Sequence, residues 1–230
     1  MIKIEAFSEF ISGLSNGFMP IISSLPKEQY ALIDLSITNK ELNTVDISCA
    51  RSFEQYIRKF LEVNDAQVAY GGYNEKRGIY KRSTHFNQQD VNKERNIHLG
   101  IDLWCNANTA VLSPLCGKIH SFNNNDNYGD YGPTIILEHQ YDDVVFYTLY
   151  GHLTIDSLSK TMIGEEISVG DTIGYLGDAD VNGEYAPHLH FQIIKDIQGN
   201  IGDYPGVSNK SDIAFYLQNC PDPNLLLKIY

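Results

Sequence analysis

Short apolar runs separated by turn-forming residues dominate the chain from residue 68 onward. Examples are residues 111–112, 117–122, 134–138 and 144–150, which are rich in β-branched or aromatic side chains and bounded by glycine, proline, asparagine or aspartate. Such runs are typical of β-strands. Their close spacing predicts a mostly antiparallel sheet.

The first 65 residues follow a different pattern. Phe53, Tyr56, Ile57 and Phe60 recur at the spacing of one helix face. We therefore predict a mostly β fold with α additions (α+β), divided into two parts. Residues 1–65 form a helical N-terminal segment, and residues 66–230 form a domain with an antiparallel β-sheet or sandwich core and a C-terminal tail.

Two local features of the second part are also predicted. Residues 164–177 alternate apolar positions around a Gly-Asp turn, which predicts a β-hairpin. Residues 208–217 predict a short C-terminal helix with Ser208 or Ser211 near its N-cap.

Two histidines share one face of a predicted strand at residues 187–192. Strand side chains alternate between faces, so His188 and His190 point one way while Leu189 and Phe191 point the other. With a rise of roughly 3.3 Å per residue, the two histidine Cβ atoms lie about 7 Å apart. The pair predicts either a shared polar site or two partly exposed strand histidines.

Two further groups offer polar side chains that could join the pair. His98 and Asp102 flank Gly100, and in a straight strand they would lie about 13 Å apart. The chain must therefore turn if both contact one ion, and Gly100 permits such a turn. His152 follows Gly151 directly after a strongly β-like run, where functional sites are often built.

Taken together, these residues predict a metal site. His98, Asp102 and one member of the late pair supply two imidazoles and one carboxylate, a set that leaves a position open for water on a zinc ion. Two histidines then remain, and neutral imidazoles can accept and return protons. The set suits hydrolysis of an unactivated amide.

In order and spacing the three motifs resemble the LytM/lysostaphin-type zinc endopeptidases, which cut peptide cross-links or stems of bacterial cell walls. The resemblance covers about residues 95–195. It implies a zinc metallopeptidase-like catalytic domain in which His98, Asp102 and His190 bind zinc. It also implies that His152 and His188 handle the water and the developing oxyanion. Some members use a tyrosine at the cleft, for which Tyr80 and Tyr128 are the candidates here.

The chain is also similar to a peptidase-like branch found fused to aminotransferase-type enzymes. The function that these resemblances imply is zinc-dependent cleavage of peptide or amide bonds, by an endopeptidase acting on peptidoglycan peptides or glycine-rich peptides. Two alternatives stay open at this point. One is a non-catalytic zinc-containing binding or regulatory module, and the other is a cytoplasmic hydrolase of small amide-linked metabolites.

Charge and composition narrow the range of partners. The net charge of −12 argues against nucleic acid or an anionic membrane as the main partner, although residues 76–82 carry a local basic cluster that includes Arg77. The expected partner is a peptide or a peptidoglycan fragment. No pattern in the sequence predicts an oligomeric state.

The first residues of the chain and its cysteines are used to predict the cellular compartment of the protein. The first residues lack the basic and apolar regions of a signal peptide, and no run of about 18 apolar residues occurs. This predicts a cytoplasmic protein without membrane insertion, with non-classical export or a missing leader as the alternative. The four cysteines form no Cys-x-x-Cys pair and predict free thiols. His85, His120 and His139 match no motif and are expected to be surface or partly packed histidines.

Overall fold

The computed structural model of the protein describes residues 4–82 and 93–230. In chain order the strands are β1 (Tyr30–Leu32), β2 (Val68–Gly71), β3 (Ile97–His98), β4 (Ile101–Trp104), β5 (Ala110–Leu112), β6 (Gly117–Asn125), β7 (Gly132–Tyr141), β8 (Val144–Gly151), β9 (Glu166–Ile167), β10 (Thr172–Tyr175), β11 (His188–Ile194) and β12 (Val207–Ser208). The α-helices are α1 (Ile4–Gly13), α2 (Ala50–Val63), α3 (Ile155–Ser159), α4 (Ile213–Asn219) and α5 (Asn224–Leu227).

The described residues form one large β-sheet and two small ones. The eight strands of the large sheet lie in the order β1-β2-β4-β11-β8-β7-β6-β9. Every pair in it is antiparallel except β1 with β2, which run parallel. Two small sheets, β10-β5 and β12-β3, complete the fold. The predicted mostly β fold with helical additions is confirmed.

Strand β11 lies at the centre of the large sheet and sends its side chains to two different surroundings. Leu189, Phe191 and Ile193 are fully buried in the largest apolar cluster, which also receives Phe7 and Ile11 from α1. The intervening histidines point to the opposite face. Removing a buried side chain such as that of Phe191 costs about 3–5 kcal/mol, so this packing fixes the position of the strand.

The N-terminal segment packs on both sides of the sheet. It adds β1 as an edge strand, and α2 buries Phe53 and Ile57 in a second apolar cluster that includes Trp104 and Tyr80. The segment is thus helical for much of its length but also contributes a strand. Its treatment as a separate part ending at residue 65 stays a prediction.

The predicted hairpin is wrong. Residues 164–177 do not form one, because β9 pairs with β6 whereas β10 pairs with β5 in a separate sheet. The predicted short C-terminal helix is present, although it begins later than expected: α4 starts at Ile213 with Asp212 as its N-cap residue, next to Ser211. Val207 and Ser208 lie instead in β12, where they pair with β3.

Three expectations concern individual residues. The expectation for His139 is wrong: this residue is fully buried, and bonds from its two ring nitrogens to the Cys116 carbonyl and the Thr148 hydroxyl offset the cost of burying the ring. His120 is half-buried as expected, and His85 lies outside the described residues. Arg77 is only 3% exposed and so does not contribute to a basic surface cluster.

Across residues 4–82 and 93–230, no helix combines the length and the apolar character needed to cross a membrane.

Candidate metal centre

Three ligand-type atoms meet on the polar face of β11. The distance from His98 Nε2 to His190 Nδ1 is 2.9 Å, and Asp102 Oδ1 lies 3.2 Å from the first and 3.1 Å from the second. Ligands at roughly 2.1 Å from a tetrahedral zinc ion lie about 3.4 Å apart. The three atoms therefore already have nearly the spacing that a single zinc ion requires.

Sheet register explains why Asp102 meets His190. The two residues are direct cross-strand partners on β4 and β11. On its other side His190 is paired with Gly151, the last residue of β8, and His152 follows Gly151 in the chain. The three neighbouring strands β4, β11 and β8 thus bring Asp102, His190 and His152 close together.

His98 reaches the same point by a change of sheet. Strand β3 ends at His98 and belongs to the small sheet with β12, whereas β4 begins at Ile101 in the large sheet. Gly100 lies between them, and a Cβ there would come within 2.7 Å of the His190 ring. Glycine is therefore required at this position by the close approach of His190 as well as by the turn.

Carbonyl acceptors set the tautomer of all four histidines. In each ring the nitrogen that faces away from the site, called the outer nitrogen, lies 2.8–3.0 Å from an oxygen atom. The partner of His98 is the Gly72 carbonyl, and that of His190 is the side-chain oxygen of Gln192. The partner of His152 is the Asn182 carbonyl, and that of His188 is the Ala186 carbonyl. A carbonyl oxygen only accepts, so each outer nitrogen must carry the proton. The four inner nitrogens consequently present lone pairs to the site, as metal ligands and general bases require.

A buried ion pair holds the other oxygen of Asp102. The Arg77 guanidinium donates to Asp102 Oδ2, and its Nε bonds Glu75 Oε2 at 2.6 Å. Burial alone would raise the pKa of Asp102, but the nearby His98 and Arg77 hold that pKa well below its usual range. The carboxylate is therefore ionised, and its Oδ1 is left for a cation.

His152 and His188 lie side by side beside the three candidate ligands. Their ring centroids are 4.1 Å apart, and His152 has a positive φ of 65°, an uncommon conformation that recurs at functional sites. Burial lowers the pKa of His188 to about 4, and burial together with His188 lowers that of His152 well below 6.5. Both rings are thus neutral proton acceptors at pH 7.

A cavity of about 150 Å³ adjoins these residues. Tyr80 lines it, and so do Tyr131 and Tyr185, which no sequence motif distinguishes. Tyr131 donates to the Tyr204 carbonyl, and its hydroxyl lies 3.5 Å from His190 Nε2. Tyr128 is 40% exposed and contacts the Arg82 side chain.

Comparison with known proteins finds one family model that is similar to the central part of the chain. The sequence model of Peptidase family M23 matches residues 96–201. The predicted resemblance is therefore confirmed for this segment, which contains the three candidate metal ligands and both candidate catalytic histidines. No curated protein sequence matches the chain significantly.

Several solved structures are similar to the chain. The catalytic domain of the antimicrobial peptidase lysostaphin from Staphylococcus simulans has 23% identity and a TM-score of 0.38, with 67% of this chain and 95% of that domain covered. A peptidase M23 protein from Pseudomonas aeruginosa has 19% identity and a TM-score of 0.39, with 58% of this chain and 44% of that one covered. A zinc-containing peptidase from Vibrio cholerae has 23% identity and a TM-score of 0.35, with 47% and 30% covered. The chain thus spans less than half the length of the last two proteins.

Proposed function

We propose, from the premise that residues 96–201 are of the Peptidase family M23 type, that this chain is a zinc-dependent endopeptidase acting on peptidoglycan peptides or glycine-rich peptides. One observation carries the proposal. Two buried imidazoles and one ionised carboxylate direct lone pairs to a single point beside a cavity, and two further buried imidazoles with free lone pairs adjoin that point. Perturbed groups of this kind cluster where catalysis takes place.

The donor set fits zinc. His98 Nε2, His190 Nδ1 and Asp102 Oδ1 would hold the ion, and a set of two imidazoles and one carboxylate leaves a position open. The chemistry that zinc supplies in such a site is polarisation of a carbonyl and a lowered pKa of water, to roughly 7.

His152 and His188 would carry the proton transfers. Each presents Nε2 as a lone pair because its Nδ1 proton is committed to a backbone carbonyl. One ring accepts the proton of the attacking water. The imidazolium so formed then has an N–H with which to stabilise the substrate oxygen or to protonate the leaving amine.

Two variants separate metal binding from proton transfer. Asp102→Ala should lose zinc, whereas His152→Ala should keep zinc and lose at least 100-fold in hydrolysis, the usual contribution of a general base. Zinc content is measured by mass spectrometry, and cleavage is profiled on purified wall fragments and on synthetic peptides. His120→Ala, at a half-buried histidine on β6, is the matched control. A fully active His152→Ala protein would show that its assigned role is wrong.

The same assays separate two alternatives. Cleavage of dipeptides without cleavage of wall material would support a hydrolase of small amide-linked metabolites. Bound zinc with no cleavage of either would support a non-catalytic binding module.

A further inference from the structure

The second oxygen of the Asp102 carboxylate is held from a part of the chain outside the segment that the family model matches. Arg77 donates to Asp102 Oδ2, and both side chains are only 3% exposed. The matched segment begins at residue 96, so Arg77 precedes it. The support of this proposed metal ligand therefore comes from outside the matched segment.

Three contacts fix the Arg77 guanidinium in place. Besides its bond to Asp102, its Nε bonds Glu75 Oε2 at 2.6 Å, and a terminal nitrogen lies 3.4 Å from the Gly71 carbonyl. A Cβ at Gly72 would collide with the guanidinium, and the positive φ of 102° at Gly72 also favours glycine there. The backbone thus leaves room for this side chain, which is oriented toward one carboxylate oxygen.

Glu75 connects Arg77 to two neighbouring segments. Its Oε1 accepts the backbone N–H of Leu35 at 3.2 Å, and its backbone carbonyl accepts that of His98 at 2.9 Å. One residue thus bonds the N-terminal segment, the Arg77 side chain and the strand that carries a second candidate ligand. Its carboxylate also balances the buried guanidinium, because an unpaired buried charge would be costly.

The Arg77 contact determines how many oxygens Asp102 can offer to a metal ion. A carboxylate can bind a metal through one oxygen or through both. With Oδ2 bonded to Arg77, it is Oδ1 that lies 3.2 Å from the ligand nitrogen of His98 and 3.1 Å from that of His190. Two nitrogens and one oxygen leave the fourth tetrahedral position open, whereas a second carboxylate oxygen would add a ligand at the expense of water.

We propose that Arg77, held by Glu75, is a positioning residue that reserves Asp102 Oδ1 as the single metal-facing oxygen of the carboxylate. It acts through Asp102 and not on the metal itself, as partners that orient metal ligands do. The inference rests on the proposed function, because it requires Asp102 to bind the metal. It extends that function by making the open position depend on two residues outside the matched segment.

Cobalt(II) in place of zinc reports the number of ligands, because its visible absorption depends on coordination. A tetrahedral ion lacks a centre of symmetry and absorbs strongly, and an added oxygen ligand weakens these bands. Arg77→Ala releases Asp102 Oδ2, so the visible absorption per bound cobalt should fall about twofold or more.

Chemical rescue separates positioning from general loss of structure. Arg77 lines the cavity, so guanidinium ion can enter the space that Arg77→Ala leaves and bond Asp102 Oδ2 again. Guanidinium should therefore restore the parent absorption. Urea has the same planar shape but no charge, and at equal concentration it should not. Recovery with both or with neither would overturn the proposal.

Glu75→Gln tests the same support with a smaller disturbance. Glutamine keeps one acceptor oxygen and replaces the other by an NH2 group, so it cannot accept from both Arg77 and Leu35 at these positions. Cobalt absorption should weaken in this variant too. Arg58→Ala breaks an exposed ion pair with Glu54 on α2 and is the matched control, with the parent spectrum expected.

The parent spectrum in folded, cobalt-loaded Arg77→Ala and Glu75→Gln would overturn the proposal. Should Arg77→Ala not fold, the Glu75→Gln spectrum alone decides. A purely structural role would lower the stability of both variants and leave the absorption per bound cobalt unchanged.

Failure of this inference is distinct from failure of the proposed function. Parent spectra in both variants of a protein that cleaves peptides would retain the peptidase function and remove the positioning role. Weakened spectra in the variants, with no peptide cleaved by the zinc-loaded parent, would retain the positioning role and remove the function.

Discussion

Gln192 fixes the tautomer of His190 from the far side of the ring, and replacing it tests whether that bond prepares the metal site. Its Oε1 lies 3.0 Å from His190 Nε2, and its Nε2 donates to the Pro205 carbonyl at 3.1 Å. Gln192→Met removes both bonds, and the contact of the same Nε2 with Cys220 Sγ at 3.2 Å, at nearly constant volume. His190 Nε2 then keeps only the weak contact with the Tyr131 hydroxyl at 3.5 Å, so its proton can move to Nδ1, the atom that faces Asp102.

The expected losses follow from the groups left unpaired. One buried and one partly buried polar group lose their partners at about 1–3 kcal/mol each, so the free energy of unfolding of the metal-free protein should fall by about 2–6 kcal/mol. Removing a partner that orients a metal ligand typically lowers metal affinity 10–100-fold, or about 1.4–2.7 kcal/mol. Urea unfolding measures the first quantity, and competition with a chromophoric chelator at pH 7 measures the second.

Two matched substitutions sharpen the Gln192 experiment. Gln140→Met, at an exposed position on β7, should change neither quantity. Gln192→Glu keeps an acceptor for His190 but faces the Pro205 carbonyl with a second one, so it should retain zinc affinity while losing stability. A zinc affinity of Gln192→Met within threefold of the parent would refute the reasoning about the tautomer.

Two further predictions concern buried charge. Arg77→Met should lower stability by about 3–5 kcal/mol, because it strips the buried Asp102 carboxylate of its cation; a loss below 1 kcal/mol in urea unfolding would contradict this. Burial lowers the pKa of His139 to about 4 from 6.5, so the unfolded chain binds more protons between these values and stability falls as pH drops through that window. In His139→Gln the free energy of unfolding should fall less between pH 6.5 and pH 4 than in the parent protein, by up to about 3 kcal/mol, and its pH dependence above pH 6.5 should be unchanged. Equal slopes of the free energy of unfolding against pH in the two proteins would refute the assignment.

Much of the candidate site follows from local patterns. Alternation along one strand is enough to place His188 and His190 on the same face, and Gly100 marks the turn that brings His98 to Asp102. These inferences need only the geometry of a few consecutive residues. For that reason they do not depend on which strands pair.

The supporting residues depend on pairings between distant parts of the chain. Arg77 reaches Asp102 because β2 pairs with β4, and Gln192 meets Pro205 across a loop. The same long-range pairing draws Ser208 into a strand and away from the predicted helix. His139 carries no sequence signal of burial, since only the folded chain places an acceptor and a hydroxyl at its two nitrogens.

The candidate ligands come from two different sheets, and this has a consequence for folding. His98 lies on the small β3-β12 sheet, whereas Asp102 and His190 lie on the large one. A metal ion bound by all three would act as a cross-link between two units that can otherwise open separately. The short C-terminal strand β12, although it supplies no ligand, would thereby become part of the cooperative unit that retains the ion.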